Sequence, residues 1–182
     1  DGSRITFASN RGGGWEIYTM RSDGTDVRNL TRNGAQDDYP AWSPDGTRIA
    51  FMSDRWSLAG YGWEIFVINT DGSEETRLTN NPGNNIRPSR SPDGAKIAFA
   101  SSRNGPLEIF VMDADGSNPT NLTNNPPWND SEPSWSPDGS RIAFISDRYS
   151  DGDGRDYEIY VMNADGSDQT RLTDTSANGS AP

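Results

Sequence analysis

The chain has 182 residues, with 27 acidic against 16 basic side chains, a net charge of −11 and a pI near 4.3. That balance argues against nucleic acid as a partner, because phosphate binding needs a basic stripe, and it suits a cation or a basic protein surface. Cysteine and histidine are both absent, which removes disulfides, thiolate chemistry, Ser-His-Asp and Cys-His catalysis, and every histidine-ligated metal site.

The opening phrase "DGSRITF" returns within "WSPDGTRIAF" from Trp42, "RSPDGAKIAF" from Arg90 and "WSPDGSRIAF" from Trp135. Asp1, Asp45, Asp93 and Asp138 start these units at intervals of 44, 48 and 45 residues. The chain therefore divides into four repeats, about 1–44, 45–92, 93–137 and 138–182, forming one domain. A second Asp-Gly marks each unit at Asp23, Asp71, Asp115 and Asp165, and a Leu-Thr pair closes it at Leu30, Leu78, Leu122 and Leu172.

Each unit reads as four strands, A to D. Strand A is "YPAWS", "RPSRS" or "EPSWS". Its proline lacks a ladder donor, so A belongs on a sheet edge. A Pro-Asp-Gly turn leads to strand B ("RITFAS", "RIAFMS", "KIAFAS", "RIAFIS"), and strand C follows ("EIYTM", "EIFVI", "EIFVM", "EIYVM"). The second Asp-Gly turns the chain into strand D. Strands B and C are apolar on both faces: Ile142 and Phe144 oppose Ala143 and Ile145. A sheet wet on one side would alternate apolar with polar residues. These sheets need cover on both sides, and no segment reads as a helix long enough to supply it. The fold class is all-β, a β-propeller of four-stranded antiparallel blades packed face to face. No apolar run approaches the roughly 18 residues of a membrane helix, so no membrane insertion is expected.

The pattern "WSPDGSRIAFISDR" followed by "YEIYVMNADGSDQTRLT" resembles the TolB-like propeller repeat along essentially the whole chain. The resemblance implies a propeller fold and protein partners in the periplasm or outside the cell. It also covers propellers that serve as peptidase lids and sugar-lyase scaffolds, so it does not by itself set the function. The sequence departs from the pattern at Arg90, which stands where tryptophan is found, and at Asn10 and Ser102, which replace the aspartate seen at Asp54 and Asp147. TolB-like propellers usually have six blades; this chain has four units, the first without strand A. Three arrangements follow. The segment ending at Pro182 could complete the first blade and close a four-bladed ring, the four units could belong to a larger propeller, or open blade edges could pair between copies into a homo-oligomer.

Strand order puts the A–B and C–D turns at one end of every blade and the B–C and D–A loops at the other. The first end is uniform Asp-Gly. The second varies, as in "GGGW", "WSLAGYGW", "NGPL" and "YSDGDGRDY", and variable loops on a rigid scaffold carry binding. Function is therefore expected there, as a non-enzymatic protein-interaction scaffold. Trp56, Tyr61, Trp63 and Trp128 are its aromatic candidates, and Asp37, Asp38 and Asp130 its acidic ones. The alternative for the aromatics is that they fold back over the blade ends. The alternative functions are a domain of a carbohydrate- or peptide-processing enzyme, with those three aspartates as its carboxylates, and a calcium-stabilised structural propeller. For calcium, the ligands would be Asp151, Asp153 and Asp156 in "DGDGRDYE", although Arg155 interrupts the EF-hand pattern and a solvated acidic loop competes. The pairs Arg11–Glu16, Arg55–Glu64, Arg103–Glu108 and Arg148–Glu158 flank the B–C hairpins and read as architectural cross-strand partners. The Asn-Leu-Thr triplets at Asn29 and Asn121 match a glycosylation sequon but are better explained by the strand D repeat.

Overall fold

A computed structural model describes residues 2–55, 62–148 and 157–174. Within them the chain is all β, and no helix is long and apolar enough to cross a membrane. The first sheet has three strands: β1 (Arg4–Ser9), β2 (Glu16–Arg21) and β3 (Arg28–Asn29). The second holds β4 (Asp37–Trp42), β5 (Arg48–Ser53), β6 (Glu64–Asn69) and β7 (Thr76–Arg77). The third holds β8 (Asn85–Arg90), β9 (Lys96–Ser101), β10 (Glu108–Asp113) and β11 (Thr120–Asn121). The fourth holds β12 (Asp130–Trp135), β13 (Arg141–Ser146), β14 (Glu158–Asn163) and β15 (Thr170–Arg171). Strand order in every sheet follows chain order, and every pairing is antiparallel. The proline-bearing strands β4, β8 and β12 lie on edges, as expected, and those edges converge on one another. The sheets are blades of a propeller with strand A innermost.

The repeated residues account for this geometry. Asp45 Oδ1 accepts hydrogen bonds from Ser43 Oγ (2.6 Å) and Thr47 N (3.0 Å), while Gly46, at φ +70°, closes the tight turn into β5. Strand D is two residues long, and its Leu-Thr continues the ladder by other means. Leu30 N donates to Ile17 O (2.8 Å), and Ile17 N in turn donates to the Thr31 hydroxyl (3.1 Å). Asn29 Oδ1 accepts from Thr31 N and Asn121 Oδ1 from Thr123 N, both at 3.1 Å, so both triplets have a structural role.

Each blade has a front lined by Ile and aromatic residues and a back lined by smaller aliphatic ones. The front of blade 2 (Ile49, Phe51, Phe66, Ile68) packs on Ile17 and Leu30 of blade 1. Its back (Ala50, Met52, Ile65, Val67) packs on Ile97, Phe99, Phe110 and Met112, the front of blade 3. The back of blade 3 meets Ile142, Phe144, Tyr160 and Met162, the front of blade 4. Phe51, Phe99 and Phe144 are essentially inaccessible, which stabilises each seam by roughly 1.5–3 kcal/mol per ring. Each is paired across its hairpin, Phe51 with Phe66 at 5.8 Å and Phe144 with Tyr160 at 5.6 Å between centroids. A glycine sets the seam spacing at the C–D turn: a Cβ on Gly116 would lie 2.8 Å from Leu78 O.

The first and fourth sheets share no packed face among the described residues. The front of blade 1 is open, with Ile5 42% exposed, and so is the back of blade 4, with Ile159 44% and Leu172 60% exposed. The segment expected to complete the first blade, ending at Pro182, lies outside the described residues.

Candidate functional site

The two ends of the propeller are chemically different. At the Asp-Gly end each turn consumes its own carboxylate. Ser43 and Thr47 hold Asp45 down to about 2, Ser136 and Ser140 do the same to Asp138, and Lys96 and Asn118 lower Asp113 to about 2. Asp23, Asp71, Asp93, Asp115 and Asp165 are lowered by equivalent hydroxyl and amide donors.

One departure from uniformity stands at that end. Arg90 occupies the position where Trp42 and Trp135 pack against their seams. It lines a cavity of about 370 Å³ between blades 2 and 3, and its Nε and Nη2 are buried with no hydrogen-bond partner. Burial lowers its pKa, with the Arg48 charge adding to the effect and Asp45 opposing it.

At the loop end the predicted acidic residues divide. Asp37 and Asp130 are fully buried, which corrects their reading as contact residues. Arg55 Nη2 donates to Asp37 Oδ1 (3.0 Å), and Arg148 Nη2 donates to both Asp130 oxygens (3.1 Å). Asn85 takes this role in blade 3, accepting from Arg103 Nη2 at 3.0 Å. Asp38 is half-buried, and its carboxylate accepts from Tyr39 N at 2.7 Å.

The expected Arg–Glu cross-strand pairs do not form either. Each arginine lies over the aromatic pair of its own hairpin, as Arg55 lies over Phe66 (4.3 Å) and Arg148 over Tyr160 (4.5 Å). In three blades the arginine reaches strand A. Each glutamate reaches the other way, to the end of strand D: Glu16 accepts from Thr31 Oγ1 (2.6 Å), and Glu64 accepts from Thr79 and from Arg77 Nη2 (2.7 Å). The glutamate therefore ties strand C to the end of strand D, while Arg55 and Arg148 bridge from strand A across the hairpin to Glu75 and Gln169 at the start of strand D.

Of the aromatics, Trp63 is half-buried against the seam between blades 2 and 3, so it folds back onto the core. Trp128 is 38% exposed in the D–A loop before β12. Trp56, Tyr61, Asp151, Asp153 and Asp156 lie outside the described residues. Among the described residues no group of three or more acidic side chains is placed to hold a metal ion.

The structure adds three residues that the sequence reading passed over. In β4, β8 and β12 the register slips between Asp38 and Ala41, Ile86 and Ser89, and Ser131 and Ser134. Two residues then oppose one, a β-bulge. The first residue of each bulge is non-glycine with left-handed backbone: Tyr39 (φ 52°), Arg87 (φ 55°) and Glu132 (φ 55°). Such conformations cost on the order of 1 kcal/mol or more and concentrate at functional sites. The bulges bring the three side chains together on the inner edges. Arg87 pairs with Glu132 Oε1 (2.6 Å), donates to Ser131 Oγ (3.1 Å) and stacks over Tyr39 at 5.2 Å. Tyr39 remains 42% exposed. The signal available in sequence was the residue before each strand A proline, which reads Tyr, Arg and Glu within a near-constant frame.

With that geometry in place, the family comparison is specific. The TolB beta propeller domain family matches residues 1–80 and 60–182. A protein TolB homolog from Chlorobium luteolum is 52% identical over 50 residues, 28% of this chain and 12% of the relative. A Tol-Pal system protein TolB from Desulfosudis oleivorans is 43% identical over 53 residues, 29% of this chain and again 12% of the relative. The solved structure of a putative TolB from Agrobacterium tumefaciens superposes with a TM-score of 0.83 at 30% identity, over 95% of this chain and 62% of that one. The chain thus spans less than two thirds of the length of these relatives.

Proposed function

Because the chain belongs to the TolB beta propeller domain family, we propose that it is a non-enzymatic scaffold that binds a protein partner at the loop end, with Tyr39, Arg87 and Glu132 at the centre of the contact. The observation that carries this reading is their placement. They share a strained bulge in three successive blades, they are partly exposed, and they differ from blade to blade where the surrounding frame repeats. A tyrosine beside a paired arginine and glutamate is the composition of a protein-contact centre, where aromatics and arginine are enriched. Asp38, next to Tyr39 in β4, and Trp128, in the D–A loop before β12, extend the contact outward.

The enzymatic alternative finds less support. A carboxylate-only hydrolase needs two accessible carboxylates about 5–10 Å apart, and Asp37 and Asp130 are sealed under arginines. Membership of the TolB beta propeller domain family supports the periplasm or the outside of the cell as the compartment. A photo-crosslinking residue at position 39 or 128 should capture one discrete envelope protein, whereas the same residue at position 71 or 115, at the Asp-Gly end, should not. Capture only from positions 71 and 115 would overturn this assignment.

A further inference from the structure

The repeat departs from its own pattern at Arg90. Trp42 and Trp135 end β4 and β12 at the same position, and each packs against its seam. Trp135 also uses its N–H, which donates to Ser89 O at 3.2 Å. Arg90 brings a permanent charge and several N–H donors to that position, and its Nε and Nη2 lie buried without an acceptor. Buried donors left unused cost stability. Such a cost, where the equivalent residues avoid it, marks a position kept for function rather than folding. The side chain lines the cavity of about 370 Å³ between blades 2 and 3, a volume at the small end of small-molecule pockets. Arg48 lines the same cavity and is held to Glu74 only through an exposed contact of 3.5 Å. Pro44 and Ala114 supply apolar wall. Asp45, Asp93 and Asp115 also line it, and each is bonded within its own turn: Asp45 by Ser43 and Thr47, Asp93 by Ser91 and Ala95 N, Asp115 by Ser117. The Nε–Nη2 edge of a guanidinium matches the two oxygens of a carboxylate. In Arg90 that edge is buried but bonded to nothing, so turning it into the cavity breaks no hydrogen bond.

We propose that this cavity binds a small monocarboxylic acid, whose carboxylate bridges Arg90 Nε and Nη2 while Arg48 supplies a second positive charge. The apolar remainder of the acid lies against Pro44 and Ala114. The three aspartates set the selectivity: their charges oppose a second negative charge on the ligand, so a carboxylate is preferred to a doubly charged phosphate. The site sits at the Asp-Gly end, away from the protein contact at Tyr39, and does not depend on it.

Titration of the full chain with acetate and with N-acetylglycine, at an ionic strength held constant with sodium chloride, tests this. Each acid should move the Arg90 Nε–H resonance along a saturable curve. N-acetylglycinamide has the same shape without the charge and should leave that resonance in place. Phosphate should bind several-fold more weakly than N-acetylglycine. In calorimetric titrations Arg90→Trp should weaken N-acetylglycine at least about tenfold, the loss of a charge-assisted pair. The same variant should keep its circular dichroism and melt above the wild type, so the loss of binding is not a loss of fold. Arg90→Lys keeps the charge without the fork and should fall between the two, and Arg48→Gln should weaken binding by a smaller factor than Arg90→Trp. A resonance that answers sodium chloride or the amide as it answers the acids, phosphate binding as tight as N-acetylglycine, or an Arg90→Trp variant that binds like the wild type would each overturn the proposal. An affinity that climbs as the probe is lengthened to N-acetyl-tetraglycine would put a chain terminus in the cavity and overturn the assignment of a free acid.

Discussion

The Asp-Gly end and the loop end are built from the same four repeats and use them differently. At the Asp-Gly end the described Asp-Gly carboxylates are engaged within their own turns, as by Ser43 and Thr47 at Asp45 or by Ser136 and Ser140 at Asp138. At the loop end the repeated charges reach across the blade, Arg148 to Asp130 and Glu158 to Arg171. That clamp leaves the residues between clamps free to vary. A repeat protein displays specificity where long-range contacts hold the frame, because local turns already have a role for each polar group.

The comparison breaks most visibly at the clamps. Asp130→Ala removes the carboxylate partner of Arg148, a part-buried guanidinium above Phe144 and Tyr160 that keeps its bonds to Ser146 and Gln169, and should cost about 3 kcal/mol in urea unfolding. Asp130→Asn installs the side chain that blade 3 carries at Asn85 and should cost only about 1 kcal/mol. Equal losses for the two variants would mean that position, not charge, decides. A smaller effect of opposite sign is expected at Arg90. Replacing it with tryptophan restores the packing seen at Trp42 and Trp135 and removes two buried nitrogens, Nε and Nη2, that have no hydrogen-bond partner. The melting temperature should rise, by the equivalent of about 1–3 kcal/mol. Smaller again is Tyr39→Gly, which relaxes the left-handed backbone and should stabilise by about 0.5–1 kcal/mol while abolishing partner capture. That dissociation of stability from binding would sharpen the distinction between frame and display.

The mildest effect is acid sensitivity at the turn end. The folded pKa values of Asp45, Asp113 and Asp138 are depressed to about 2 from an ordinary 3.8. Their contribution to stability is therefore complete above pH 3.8 and is lost as pH falls through about 2. Thermal melts between these limits should show the loss, and Asp45→Asn with Asp138→Asn should flatten it.

Strands B and C were legible because burial on both faces leaves an unbroken apolar run, as in "RIAFIS", which few other environments tolerate. The edge position of strand A was legible from Pro40, Pro88 and Pro133, since a missing N–H leaves few alternatives. The partners of Arg55 and Glu64 were misread. Nearness along the chain suggested a hairpin pair, but the arginine takes the aromatic face and Asp37, and the glutamate takes Thr79. The bulges at Tyr39, Arg87 and Glu132 were also missed, because a bulge is a property of the register between two strands and neither strand encodes it alone.

By itself, then, the sequence determined the repeat, the strands, the turns and the stacking of blades, because each depends on local dihedral preference or on alternation within one short segment. Only the tertiary structure decided which charges pair, which aspartates are sealed, where Tyr39 meets Arg87, and which faces stay open. Those depend on distances between residues tens of positions apart, and such distances exist only once the blades have packed.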